Sequence, residues 1–190
     1  MSGSHILFNR GYLRDFLRNH QESLIRLIDG YPGDYVLKLN IDEVCNDLDR
    51  EYRLQPPILK PDGTYTKGHG ERDGKISVKL AVPFDGNPQL FDFQPSTFNY
   101  NPPIGIVEAQ EVCLTYSRSD YDHAAIKREL DKDLGGITQF LEWVAADVAP
   151  FNASIKGLAR QRIEFRRGKL LKEKEMIEKL GFPTKKPDKK

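Results

Sequence analysis

Hydrophobic positions first recur at a helical period. Leu13, Leu17, Leu24 and Ile28 lie on one stripe, widened by Phe16 and Leu27, which predicts a helix. Asp29-Gly30-Tyr31-Pro32-Gly33 supplies turn chemistry that ends it. Tyr35-Val36-Leu37-Lys38-Leu39 is rich in strand formers and reads as a short strand. Val44, Leu48 and Tyr52 are spaced by four, giving one face of a short helix for which Asn40 or Asp42 is the candidate cap. Residues 55–74, with Pro56, Pro57, Pro61, Gly63, Gly68, Gly70 and Gly74, read as a long surface loop.

The period then changes to two. Ile76, Val78, Leu80 and Val82 alternate with Ser77, Lys79 and Ala81, the pattern of a strand with one buried face. Asp85-Gly86-Asn87-Pro88 predicts a turn into a second strand, Leu90-Phe91-Asp92-Phe93, closing a hairpin. After a Pro/Asn-rich loop over 95–103, Ile106, Val112, Leu114 and Tyr116 share a face in a third strand.

Beyond Ser119 the period returns to 3.6. Ile126, Leu130, Leu134, Ile137, Leu141, Val144 and Val148 predict a long amphipathic helix. Gly135-Gly136 within it calls for a kink or a close helix crossing, since each Gly costs about 1 kcal/mol relative to Ala. Pro150 separates a second helix, in which Ile155, Leu158, Ile163, Leu170, Ile177 and Leu180 keep an apolar stripe until Gly181-Phe182-Pro183. The segregated order predicts an α+β fold. It has a mostly antiparallel sheet of about four strands covered by helices, with a C-terminal helical hairpin. The expected organisation is an α+β core domain over 1–150, a basic amphipathic helix over 151–183 packed on the core or on a partner, and a disordered tail or linker over 184–190.

With 190 residues, 38% of them hydrophobic, the chain can bury a core without metals or disulfides. No apolar run approaches the roughly 18 residues of a membrane span, and residues 1–5 lack the layout of a secretory leader. Cys45 and Cys113 are too few for a disulfide scaffold. The expectation is a cytoplasmic protein without membrane contact. Its formal net charge of +1 hides an asymmetry: residues 151–190 carry 13 Lys/Arg against 5 Asp/Glu, a net of +8, which leaves −7 for the rest. Such a split points to an anionic partner, or to an acidic face of this chain or of another subunit.

The search for chemistry is largely negative. His5, His20, His69 and His123 are scattered and neither Cys has a close partner, so neither a metal site nor a cofactor is expected. Gly63 to Gly70 is Gly-rich, but its Lys67 is out of register for a phosphate-binding loop. No nucleophile elbow occurs. Glu129 and Asp133 are helical neighbours interleaved with Lys127, Arg128 and Lys132, the pattern of a solvated face. The weakest enzymatic alternative assembles a site in the 55–74 loop, with His69 as acid/base beside Glu71 or Asp73.

The basic helix is the strongest feature. Arg160, Arg162, Arg166, Arg167, Lys169 and Lys172 are the candidate nucleic-acid contacts, since guanidinium groups suit bidentate phosphate binding. Lys174 extends the cluster, while Glu164, Glu173, Glu175 and Glu178 offer internal pairs that would instead leave a salt-bridged face. The stripe Ile163, Leu170, Ile177 and Leu180 is the candidate oligomer interface.

The run Phe151-Asn152, Leu158-Ala159-Arg160, Arg166-Arg167, Leu170-Leu171 and Leu180-Gly181-Phe182-Pro183, with Ile126-Lys127-Arg128-Glu129-Leu130-Asp131 upstream, resembles the N-terminal region of a group of bacterial proteins. In that group a domain of about this size precedes a separate effector domain, often a restriction-endonuclease-like nuclease, and roles in bacterial defence are suspected. The Asp…Glu-x-Lys set of such a nuclease is missing: Glu173-Lys174 falls in a predicted helix and Glu108-Ala109-Gln110 lacks the Lys. The resemblance therefore implies the non-catalytic part of a longer protein. The expected function is a regulatory, sensing or oligomerisation module that assembles with itself or with a partner protein. The alternative is a nucleic-acid-binding module that uses the basic helix.

Overall fold

The computed structural model describes residues 5–72 and 74–182; Asp73, Pro183 and the 184–190 tail lie outside them. By contact the described chain divides into two compact units. Residues up to Asn19 with Leu54–Asn152 form one, and His20–Arg53 with the residues from Ala153 on form the other. The expected 1–150 core had placed residues 20–53 with the sheet.

The fold is α+β. Strands β1 (His5–Ile6), β2 (Gly11–Tyr12), β3 (Ile58–Leu59), β4 (Tyr65–Arg72), β5 (Lys75–Asp85), β6 (Phe93–Gln94), β7 (Ile104–Glu108) and β8 (Glu111–Arg118) all belong to the first unit. Six of them make an antiparallel sheet in the order β1-β7-β8-β5-β3, with β4 also paired to β5. β2 and β6 form a separate parallel pair. Helices are α1 (Leu13–Asp29), α2 (Gly33–Lys38), α3 (Ile41–Tyr52) and α4 (His123–Leu180); α1 and α4 contribute residues to both units.

Alternation decides which face of the sheet is covered. Val82 and Phe84 of β5 and Val112, Leu114 and Tyr116 of β8 are buried in one cluster with Leu134, Ile137, Phe140, Leu141, Val144 and Val148 of α4. This is the period-two face meeting the 3.6-period stripe, as each pattern requires. The other face of the sheet carries Lys67, Lys79, Glu108 and Glu111, described below.

Several expectations are corrected. Residues 65–72 are a strand, not loop. Β4 is an edge strand whose residues are almost all exposed, so it has no apolar alternation to reveal it. The local signal was Asp73-Gly74, a two-residue hairpin dipeptide, with Gly74 at φ 71°. The expected hairpin of 76–82 with 90–93 does not form. Pro88–Phe91 is a single 3₁₀ turn started by Asn87, whose side chain accepts from the Gln89 N–H. Gly86, at φ 108°, allows this path, because a Cβ there would lie 2.6 Å from the Pro56 carbonyl oxygen. The stretch 106–116 is two strands, with Ala109 at φ 54° in the turn between them.

Tyr35–Leu39 is not a strand. α2 covers all of it but Leu39, and Val36 is fully buried, so the strand formers are overridden by packing. α3 follows the expected pattern: the Asn40 side chain accepts from the Asp42 N–H at 3.1 Å.

The C-terminal helical hairpin is replaced by one continuous helix of 58 residues with Pro150 inside it. An interior Pro costs about 3 kcal/mol. Val144, Val148, Ile155, Ala159 and Ile163 are all essentially inaccessible, and full burial of each Val or Ile contributes about 1.5–3 kcal/mol. The stripe on both sides of the Pro therefore outweighs the break. Gly135 and Gly136 mark no helix crossing: no atom lies within 4 Å of a Cβ placed at Gly135, and only Pro103 Cγ, at 3.9 Å, approaches one at Gly136.

Just after Pro150, Asn152 fastens the helix to the chain entering the sheet. The Leu54 N–H donates to Asn152 Oδ1 at 2.9 Å, and Asn152 Nδ2 donates to the Leu54 carbonyl at 2.8 Å. The amide replaces a strand partner for a partly buried peptide group. Asn152→Leu leaves both Leu54 groups unpaired and is expected to destabilise the protein by about 2 kcal/mol, read as a lower urea midpoint; an unchanged midpoint would contradict this role.

Candidate functional site

The six basic residues expected to meet phosphate divide into two sets. Arg162 forms a two-point contact with Asp29, the last residue of α1, through Nε at 2.6 Å and Nη2 at 2.5 Å. Arg166 donates to the Ile28 carbonyl and, at 2.8 Å, to the Tyr31 carbonyl. Arg167 donates to the Val36 and Leu39 carbonyls at 2.9 and 2.7 Å. Arg160 pairs with Asp42 in the first turn of α3. The hydrogen bond from Arg162 holds the Asp29 carboxyl below its ordinary pKa, and Asp42 raises that of Arg160.

The logic is that of helix ends. The last carbonyls of α1 and α2 have no intrahelical donors and carry the negative end of the macrodipole. The planar guanidinium fork spans one such carbonyl in the last turn, Ile28 or Val36, and one just beyond the helix, Tyr31 or Leu39. Four arginines thus fasten α1, α2 and α3 to α4 within the second unit. Lys169 lies 3.9 Å from Glu173, and Lys172 forms no ion pair among the described residues.

The expected oligomer stripe divides in the same way. Ile163 is interior, fully buried in the single chain, and so is not an interface residue. Leu170 is half-buried; its Cδ2 lies 3.3 Å from where a Cβ on Gly33 would stand. Ile177 and Leu180 are exposed, as are Leu171, Met176 and Phe182 beside them.

A polar cluster that sequence reading missed covers the open face of the sheet. Lys67 Nζ lies 2.8 Å from both Glu108 and Glu111, and Lys79 Nζ lies 2.8 Å from Glu108. The Tyr65 hydroxyl donates to Glu111 at 2.5 Å, and the Cys113 thiol lies 3.6 Å from Glu108. Strand register assembles it: Tyr65 pairs with Ala81, Ala81 with Cys113, and Glu108 with Glu111. Hydrogen bonds from Lys67 and Lys79 lower Glu108 to about 2, and those from Lys67 and Tyr65 lower Glu111. Burial raises the Cys113 thiol, which keeps it protonated and unreactive. Each charge has its counter-charge, so the cluster is suited to covering the sheet rather than to proton transfer.

The other candidate residues remain dispersed. His69 and Glu71 project from one face of β4, with no hydrogen bond or ion pair joining them, and Asp73 lies outside the described residues. Glu129 accepts from Arg118 at 2.7 Å and Asp133 from the Tyr116 hydroxyl at 2.9 Å. Among the described residues no group of three or more His, Cys, Asp or Glu is placed to hold a metal ion, and no helix is long and apolar enough to cross a membrane. The class defined by this architecture is α+β, and comparison with protein-family models, curated proteins and solved structures finds no match to the chain.

Arg167→Met removes two carbonyl partners at the end of α2 and is expected to cost about 2 kcal/mol of stability; an unaltered urea midpoint would contradict the fastening role. Glu108 has a depressed folded pKa, so its contribution is full above the ordinary value of 4.5 and fades as pH falls towards about 2. Glu108→Gln should therefore flatten the fall in stability across that window, and parallel pH profiles for the two proteins would contradict the cluster's geometry.

Proposed function

We propose that the chain is a non-catalytic interaction module that assembles with a second copy of itself through the distal end of α4. The observation that carries this reading is the mismatch between a stripe and its cover. Ile155, Ala159 and Ile163 are buried and Leu170 half-buried, yet the same helical face continues to Ile177 and Leu180, which are 42% and 58% exposed. Leu171, Met176 and Phe182 add to the exposed apolar residues of this segment, and apolar surface left open to water marks interaction sites.

Charge order favours a copy of the same segment as the occupant. About Met176, Glu173 is mirrored by Lys179, and Lys174 by Glu178. Two copies laid antiparallel bring unlike charges to the same height, whereas a parallel pair opposes like with like. A nucleic acid is disfavoured on the same helix, because the arginines suited to phosphate already hold α1, α2 and α3. An assembly module also agrees with the resemblance to domains that precede a separate effector.

Light scattering on a sizing column tests this. At tens of micromolar the expected mass is twice that of the chain, unchanged by duplex DNA. Ile177→Glu with Leu180→Glu is expected to give a monomer of unchanged helicity. A strictly monomeric parent, or a mass that rises only with DNA, would overturn the proposal.

A further inference from the structure

The 95–103 loop, read from sequence only as a connection, borders a cavity of about 290 Å³ in the first unit. Its size falls at the lower edge of small-molecule sites, about 300–1,000 Å³, so it suits a single ring system. Phe8 and Phe140, each 2% exposed, are stacked with ring centroids 5.0 Å apart and form its inner wall. Phe98 and Tyr100 stand at its rim in an edge-on pair 5.7 Å apart. Tyr100 is 96% exposed, an aromatic ring that gains almost nothing from the fold. Asn9 and Gln94 also line the cavity, and their side-chain amides make no hydrogen bond among the described residues.

Two further observations set this cavity apart from an ordinary surface dimple. Phe8 has φ 57°, a left-handed conformation that a bulky residue adopts only when its surroundings impose it. The backbone bonds Leu7 N–H to Pro103 O (2.9 Å) and Phe8 N–H to Phe91 O (2.6 Å) hold it there, with the ring lining the cavity. The second observation is a neighbouring cavity of about 300 Å³, which shares Asn99, Pro102 and Phe140 with the first and is lined by Lys132. Lys132 forms no ion pair among the described residues. Asp133, also at this second cavity, is engaged by the Tyr116 hydroxyl.

We propose that the two cavities bind a mononucleotide, the base among Phe98, Tyr100 and the Asn9 and Gln94 amides, and the phosphate towards Lys132. Aromatic faces stack on any base, and an amide presents both a donor and an acceptor to a base edge. The ring cavity has no charged lining residue, which suits a neutral heterocycle, and Lys132 at the adjoining cavity suits an anion attached to it. This site is independent of the distal end of α4.

Trp143, the single tryptophan, contacts Phe140 edge-on at 5.0 Å and is the reporter. Its fluorescence is followed while the intact protein is titrated with AMP, GMP, CMP, UMP and the matching nucleosides, with calorimetry as the second readout. Saturable binding of at least one nucleotide is expected, its nucleoside binding about tenfold more weakly. Tyr100→Ala, at an exposed position that leaves the fold intact, should weaken both about tenfold. Lys132→Ala should weaken the nucleotide alone. No saturable binding by any of them at millimolar concentration would overturn the proposal, as would binding unaffected by Tyr100→Ala. A single-stranded oligonucleotide that binds at least tenfold more tightly than every mononucleotide would overturn it in favour of a strand.

Discussion

Burial of the α4 stripe is the constraint on which the rest of the structure depends. Leu134, Ile137, Leu141, Val144 and Val148 close the sheet's covered face, and Ile155, Ala159 and Ile163 are buried further along the same helix. Each unit has its own polar fastening. In the first, the Asn152 amide completes the Leu54 peptide group. In the second, arginine forks hold carbonyls at and just past the ends of α1 and α2. These polar contacts supply direction, while apolar burial supplies most of the free energy. The helix keeps its path through Pro150 because the stripe on either side is worth more than the hydrogen bond lost there.

The parts of the fold legible in the sequence were those whose burial pattern is local. The alternation of 76–82, the periodic stripes of α1 and α4, the Asn40 cap and the Gly181 C-terminus, at φ 69°, each depend on residues within a few positions of one another. Β4 was not legible, because an exposed edge strand imposes no apolar period. α2 was misread because its strand-forming residues are held helical by contacts with Arg167, more than a hundred positions away. Pro150 was read as a break because local propensity gives no sign of what the flanking stripe buries.

Site chemistry was less legible for the same reason. The basic cluster was found, but its purpose depends on where its partners lie: Asp29, Asp42 and four backbone carbonyls, none of which has a mark in composition. The Lys67–Glu108–Glu111–Lys79 cluster exists only once β4, β5, β7 and β8 are in register. The positive charge of Arg160, Arg162, Arg166 and Arg167 is therefore directed to the chain's own acidic and carbonyl groups in the second unit. Beyond Leu170, α4 carries exposed apolar residues among side chains of both signs of charge.

The central claim is that α4 is internally satisfied as far as Leu170 and available for association beyond it. Amide hydrogen exchange of the intact protein at low and high concentration tests this most directly. Amides of 171–182 should gain protection as concentration rises, while those of 123–170 stay equally protected throughout. Protection that does not depend on concentration, or that rises uniformly along the helix, would contradict it.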